Sequence, residues 1–309
     1  MTLFKHTIGH QSLLAILERD LKEKKLSHAS LFSGPEHVGK WHVAMKLTKG
    51  MFCETACGHC KSCHLVEVGT HPDVSVFRDE GGSLKIETVR SLIHTVSLSA
   101  QGGKRVILIQ HIERMPTEAQ NAFLKTLEEP AGNCFFILTC KNLEQVLPTL
   151  FSRLREYHFF TVPHSEIQNH LSNEHRLDKP TTNEITELAQ GRPGVALNLL
   201  HDPPLRQEYE ALYRKVEQFF SENSLLTKMQ FAETLEKDPD QLKRFFEMSF
   251  YYLRKVLHQG VQSGTKVPEK ITLVKVSQLF ESLVETSYLI KGNINKRLAL
   301  ENFFLQTET

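Results

Sequence analysis

The sequence predicts an α/β fold. It comprises an open parallel sheet with helices on both faces and a phosphate-binding loop at its rim, then a small helical segment and an all-α C-terminal domain. Three observations predict it. Gly34-Pro35-Glu36-His37-Val38-Gly39-Lys40 fits G-x-x-x-x-G-K, and it lies between an apolar run ending at Leu31-Phe32 and a stretch of helical spacing. That is the strand–loop–helix context such a loop requires. Arg105-Val106-Ile107-Leu108-Ile109 and Phe135-Phe136-Ile137-Leu138-Thr139 are near-continuous apolar, β-branched or aromatic runs, as in parallel strands buried on both faces. Beyond Pro163 no such run recurs and helical spacing takes over.

The 309 residues suffice for two or three domains, read here as 1–162, 163–204 and 205–309. Lys+Arg 37 against Asp+Glu 36 gives a net charge of +1, which excludes a strongly basic nucleic-acid footprint over the whole molecule but not a local patch. Met1-Thr2-Leu3-Phe4-Lys5-His6 lacks the long apolar core of a signal peptide. No stretch approaches the roughly 18 apolar residues of a membrane span, so no membrane partner and a cytoplasmic location are expected. The six cysteines are then expected as thiols or metal ligands, not disulfides.

In chain order, Leu13, Leu14, Leu17 and Leu21 share one side of a helix over 11–26. His28-Ala29-Ser30-Leu31-Phe32 is the strand that feeds the loop, and Val43, Ala44 and Leu47 mark the helix after it. Val74-Ser75-Val76-Phe77 is a strand, Ile86, Val89, Leu92, Ile93 and Val96 have helical spacing, and Gly102-Gly103-Lys104 is a turn. A helix from Thr117 to Glu129 is stopped by Pro130. Residues 164–202 read as short helices broken at Asp178-Lys179-Pro180 and Gly191-Arg192-Pro193-Gly194. After Asp202-Pro203-Pro204 the chain is almost wholly helical, with Phe245, Phe246, Phe250, Leu253 and Leu257 on one stripe and a further helix within Ile271–Ile290.

Chemistry gathers at two places. Backbone N–H groups of the loop, with the positive end of the next helix, can cradle phosphate oxygens, and Lys40 can reach the outer phosphates. Gly34, Gly39 and Lys40 are thus the candidate nucleotide-binding residues. The next position should carry a Ser or Thr hydroxyl for Mg²⁺, yet it is Trp41, which has no oxygen to ligate a hard cation. No Mg²⁺ site is therefore expected, and ATP binding is left open. The second place is Cys53, Cys57, Cys60 and Cys63, four cysteines within eleven residues with two C-x-x-C gaps. Such spacing suits tetrahedral structural Zn²⁺, whereas redox chemistry uses a single pair. His59 or His64 can replace one sulfur. A closed four-ligand site has no open position for catalysis.

Several stretches resemble the bacterial replicative clamp loaders of the AAA+ class. The most specific is Ala119-Gln120-Asn121-Ala122-Phe123-Leu124-Lys125-Thr126-Leu127-Glu128-Glu129-Pro130. Ser152-Arg153-Leu154, placed after the last sheet strand, is similar to the family's Ser-Arg-Cys motif with Leu154 in place of cysteine. The cysteine cluster matches in place, although the family's first Cys–Cys gap is usually longer. His28–Phe32, His71-Pro72-Asp73 and Asn295–Leu300 match too, so the resemblance covers nearly the whole chain, most densely 8–155.

This resemblance implies an AAA+ phosphate-loop sheet with a zinc module, a helical lid and a C-terminal collar that oligomerises. A hydrolysing member would end the strand at Ile109 in acids, where Gln110-His111 stand. It would also carry an arginine in the lid where Gly194 stands. Three such losses resemble the delta-prime subunit of DNA polymerase III. Arg153 would then act in trans, as an arginine finger in a neighbour's ATP site. Its competing role is a local salt bridge, for instance with Glu156. The implied partners are the gamma/tau and delta subunits, with the sliding clamp and primer–template DNA reached through the complex. Two other readings are a divergent gamma/tau ATPase subunit and, less supported by the sequence, a zinc-bearing nucleic-acid module.

Overall fold

Strands β1 (Ala29–Ser33), β2 (Val74–Phe77), β3 (Arg105–Ile109), β4 (Cys134–Cys140) and β5 (Arg155–His158) form one sheet in the order β2-β3-β4-β1-β5, and every pair is parallel. The structure, a computed structural model, describes residues 3–78, 89, 103–130, 132–221, 224–263, 273–292 and 295–307. The chain divides into two compact units, Met1–Leu199 and Leu200–Thr309.

Within the first unit, strand alternation feeds two cores. Phe32, Val106, Leu108 and Ile137 enter one core, with Leu14 and Leu17 of α1 (Gln11–Lys22) and Val43 and Leu47 of α2 (Lys40–Phe52). Ala29, Leu31, Ile107, Ile109, Phe136 and Leu138 enter the other. A short helix, α3 (Lys61–Glu67), follows the cysteines, and α4 (Thr117–Glu128) brings Ala119, Phe123 and Leu127 to the second core. Adjacent residues of one strand point to opposite faces, so a continuous apolar run is what a sheet covered on both sides requires. Helices lie on both faces, as the sequence predicts.

The expected helix around Ile86, Leu92, Ile93 and Val96 lies outside the described residues, as does Gly102. Val89 alone of that stretch is described, helical and buried in the second core. One expectation is corrected. Ser152-Arg153-Leu154 does not follow the last strand, because β5 begins at Arg155 immediately after it. β5 is a four-residue edge strand in which only Tyr157 is buried and Arg155, Glu156 and His158 are exposed. It offers no apolar run to read.

Three helices complete this region: α5 (His164–His175), α6 (Lys179–Ala189) and α7 (Pro193–His201). Asp178 caps α6 by accepting the Thr181 N–H and Pro180 sits in its first turn, so the break falls just before Asp178. The second unit is helical: α8 (Pro203–Ser221), α9 (Leu225–Lys237), α10 (Pro239–Ser263), α11 (Leu273–Lys291) and α12 (Lys296–Gln306). Its core is rich in phenylalanine, with the Phe219 ring edge-on to Phe245 at 5.6 Å and to Phe304 at 4.5 Å. Among the described residues no helix is long and apolar enough to cross a membrane.

Candidate functional site

The phosphate loop leaves β1 through Gly34. Its φ is 128°, and a Cβ there would stand 2.0 Å from the Phe159 carbonyl oxygen, so no side chain fits. Gly39, φ 104°, turns the chain into α2. Lys40 is buried and donates to the carbonyl oxygens of Gly34, at 2.5 Å, and of Pro35. Gly34, Gly39 and Lys40 are therefore brought together in one loop. Burial lowers the Lys40 pKa to about 8, and the carboxylates of Glu113 and Glu36 oppose that fall. Glu36 is itself paired with Lys141 at 3.0 Å.

Glu113 lies beyond Gln110-His111, the two positions directly after β3 where the sequence pattern calls for acids. His111 adopts a left-handed conformation (φ 57°) and a short 3₁₀ turn over Ile112–Arg114 follows. Glu113 is buried there, with Oε1 2.9 Å from His111 Nδ1 and accepting the Lys141 N–H at 3.0 Å. Burial alone would raise its pKa, but the bonds from His111, its own backbone and Lys141 outweigh it and hold the carboxyl below its usual range. Its signal in the sequence was an acid placed between Ile112 and Arg114-Met115, three residues beyond Gln110, where the apolar run has ended. Trp41, at the position where a hydroxyl would ligate a cation, packs partly buried against the first core, with the Arg78 guanidinium 6.0 Å from its ring. The Gln110 N–H donates to the Phe77 carbonyl.

Gly194 in α7 closes over the loop. Its N–H donates to the His37 carbonyl at 2.8 Å, and a Cβ there would lie 3.0 Å from that same oxygen. Helix α7 thus abuts the phosphate loop backbone to backbone at Gly194.

Arg153 sits elsewhere. Parallel pairing sets Ser33 opposite His158 and Ser30 opposite Arg155. The loop leaves the C-terminal rim of the strands and Arg153 precedes the N-terminal rim, separated by about 10 Å of strand. Its Nε donates to Glu128 Oε1 at 2.7 Å, Nη2 pairs with the same oxygen, and Nη1 donates to the Thr149 carbonyl at 2.7 Å. The local partner is thus Glu128, not Glu156, whose carboxylate accepts the Ser33 hydroxyl. Arg153 and Glu128 are 37% and 46% exposed.

The sulfurs of Cys53, Cys57, Cys60 and Cys63 all lie within 4.8 Å of one another, and Cys53 Sγ is 3.8 Å from Cys57 Sγ. Tetrahedral zinc–thiolate bonds of about 2.3 Å give sulfur pairs about 3.8 Å apart, so the donor set fits Zn²⁺. Gly58 (φ 81°) makes the turn, and the N–H groups of Cys60 and Cys63 donate to Cys57 Sγ and Cys60 Sγ, each at 3.4 Å. Bonds led by the Cys57 backbone bring the Cys53 pKa down to about 6, while burial pushes Cys63 up to about 12. His59 Nδ1 lies 3.0 Å from the Cys57 carbonyl, and among the described residues the converging group is the four cysteines.

The phosphate loop, the cysteine cluster and the α4 motif all lie in the stretch that a family model described as DNA polymerase III, delta subunit, matches, residues 9–163. That is just over half of the chain. Over 207 residues the chain is 30% identical to the DNA polymerase III subunit tau/gamma of Haemophilus influenzae, covering 63% of this chain and 30% of that protein. Over 135 residues it is 38% identical to the DNA polymerase III subunit delta' of Pseudomonas aeruginosa, covering 41% of each. The chain thus spans less than half the length of these two relatives. A DNA polymerase III gamma subunit-related protein of Thermotoga maritima aligns with 96% of this chain and 98% of its own at 20% identity and a TM-score of 0.44. The chain belongs to the DNA polymerase III delta-subunit family, among the AAA+ clamp-loader subunits.

Proposed function

We propose that this chain is a delta-prime-type, non-hydrolysing subunit of a DNA polymerase III clamp loader, working in the cytoplasm. In this reading it occupies one place in the loader ring beside gamma/tau and delta subunits. Residues 163–204 act as its lid and 205–309 as the collar that joins the ring. The ring opens the sliding clamp and sets it on primer–template DNA. The observation that carries the reading is the position of Arg153, half exposed at the rim opposite the chain's own phosphate loop. A guanidinium there cannot serve its own loop, yet it can enter a neighbour's site. Being always charged and fork-shaped, it stabilises charge that develops on a transferring phosphoryl group. The cysteines would hold a structural Zn²⁺ that stiffens the segment between α2 and α3.

A second reading, a divergent gamma/tau ATPase subunit, is favoured by the longer match to tau/gamma relatives and by Glu113, an acid beyond β3. Trp41 and Gln110-His111 weigh against it. The test combines melting of isolated Arg153→Ala with the clamp- and DNA-stimulated ATPase of the reconstituted loader. The half-exposed Glu128 pair predicts a stability loss of only about 0–1 kcal/mol. ATPase should fall by at least about tenfold, by analogy with other arginine fingers. Normal ATPase in the assembled complex would overturn the reading.

A further inference from the structure

We propose that Glu128 is a positioning residue for Arg153. The proposal rests on Arg153 acting in trans, and it adds an element that neither motif predicts alone. Glu128 ends α4, which Pro130 stops, and Arg153 lies 25 positions further on. The fold brings the two together at one rim of the sheet. Arg153 itself is held in a knitted turn: the Ser152 N–H donates to Pro148, the Arg153 N–H to Leu150, and the Ser152 hydroxyl to Thr149. Its guanidinium is then fixed by four contacts, Nε and Nη2 to Glu128 Oε1, and Nη1 to the Thr149 carbonyl and, at 3.4 Å, to Ser152 Oγ.

An arginine has five N–H donors. The contacts to Glu128 take the side edge, formed by Nε and one N–H of Nη2. The second N–H of Nη2 is directed away from that edge and stays available to a phosphate oxygen. Energetics separate a positioning role from a stabilising one. A pair this exposed contributes little to folding, yet it selects one orientation of a side chain that otherwise samples many. A group pre-oriented during folding loses less freedom when the transition state forms, and that difference appears as rate.

The experiment uses the full chain reconstituted with gamma/tau and delta subunits, clamp and primed DNA. Turnover and KM for ATP are read for Glu128→Ala, Glu128→Gln, Arg153→Ala and the Glu128→Ala/Arg153→Ala double variant. Glu128→Ala should lower kcat about three- to tenfold with KM changed by less than about twofold. Glu128→Gln should recover most of that loss, because its amide oxygen accepts the same bonds. The double variant should match Arg153→Ala alone. Should Glu128→Ala fail to assemble, the Gln variant carries the test with Glu128→Asp. The Asp variant keeps the charge but shortens the reach, and should lose rate where Gln does not. Unchanged or raised kcat for Glu128→Ala, with Arg153→Ala still slow, would overturn the positioning role. Raised kcat would instead mean that Glu128 holds the arginine back. If Arg153→Ala has normal ATPase, the trans role itself fails, a result readable separately from the Glu128 variants.

Discussion

The Gly194 N–H of α7 donates to the His37 carbonyl of the phosphate loop at 2.8 Å, so close that a Cβ at Gly194 would stand only 3.0 Å from the same oxygen. The His37 carbonyl of the loop is thus tied to α7 (Pro193–His201). The contact between α7 and the phosphate loop at this point is made by backbone atoms.

Gly194→Ala tests this contact. In a free helix the change adds up to about 1 kcal/mol through propensity. Here the new Cβ would meet a carbonyl oxygen at 3.0 Å, and overpacking of this kind costs about 1–3 kcal/mol. The expected result is a net loss in denaturant unfolding and faster exchange of the residue 194 amide. A gain in stability would mean that the lid shifts freely.

Lys40 predicts a pH signature. Its folded pKa, about 8, lies below the ordinary lysine value chiefly through burial. Between about pH 8 and 10.4 the unfolded chain binds the additional proton, so stability rises with pH in that window as the native ammonium is neutralised. The penalty is fully present well below pH 8 and amounts to about 3 kcal/mol. Subtracting the curve for Lys40→Met should expose that rise. A flat difference between pH 7.5 and 10.5 would show the native lysine to be unperturbed, and Glu113→Gln should deepen the penalty because one opposing carboxylate is lost.

The buried sheet was legible because parallel strands covered on both faces write themselves as apolar runs. Val106 to Ile109 sends alternate residues into two cores, and α1 and α4 carry period-3.6 stripes. β5 was not legible, since an edge strand exposing Arg155, Glu156 and His158 has no hydrophobic pattern. The cysteine spacing was readable because ligands four and three residues apart converge by local turns alone. The Arg153–Glu128 pair and the Glu113–Lys40 relation were not, because each depends on where tertiary structure brings two distant charges.

The cysteine cluster should carry about one Zn²⁺ per chain when the protein is purified without added metal, measured by elemental analysis. Cys60→Ser should remove it and open the segment between α2 and α3 to protease. It should leave unchanged the spectrum of the phenylalanine-rich C-terminal unit, whose core contains none of these residues. Four freely reactive thiols with under about a tenth of a zinc per chain would refute the site.

The last prediction concerns turnover. Mg²⁺-dependent hydrolysis needs a hard-cation ligand after the loop lysine and acids at the end of the following strand. Trp41 supplies an indole, and Gln110 and His111 are neutral where those acids belong. Glu113 is the acid nearby, but its Oε1 is engaged by His111 and the Lys141 N–H. The isolated chain should therefore show no ATP turnover above a Lys40→Ala control, and Trp41→Ser should not restore it. One hydroxyl supplies one ligand and leaves the strand end neutral. Turnover in the parent chain that Lys40→Ala abolishes would instead make this subunit a motor, and Glu113 would then be the first residue to replace. If Glu113→Gln also removed that activity, the acid would have moved three residues along the chain rather than been lost.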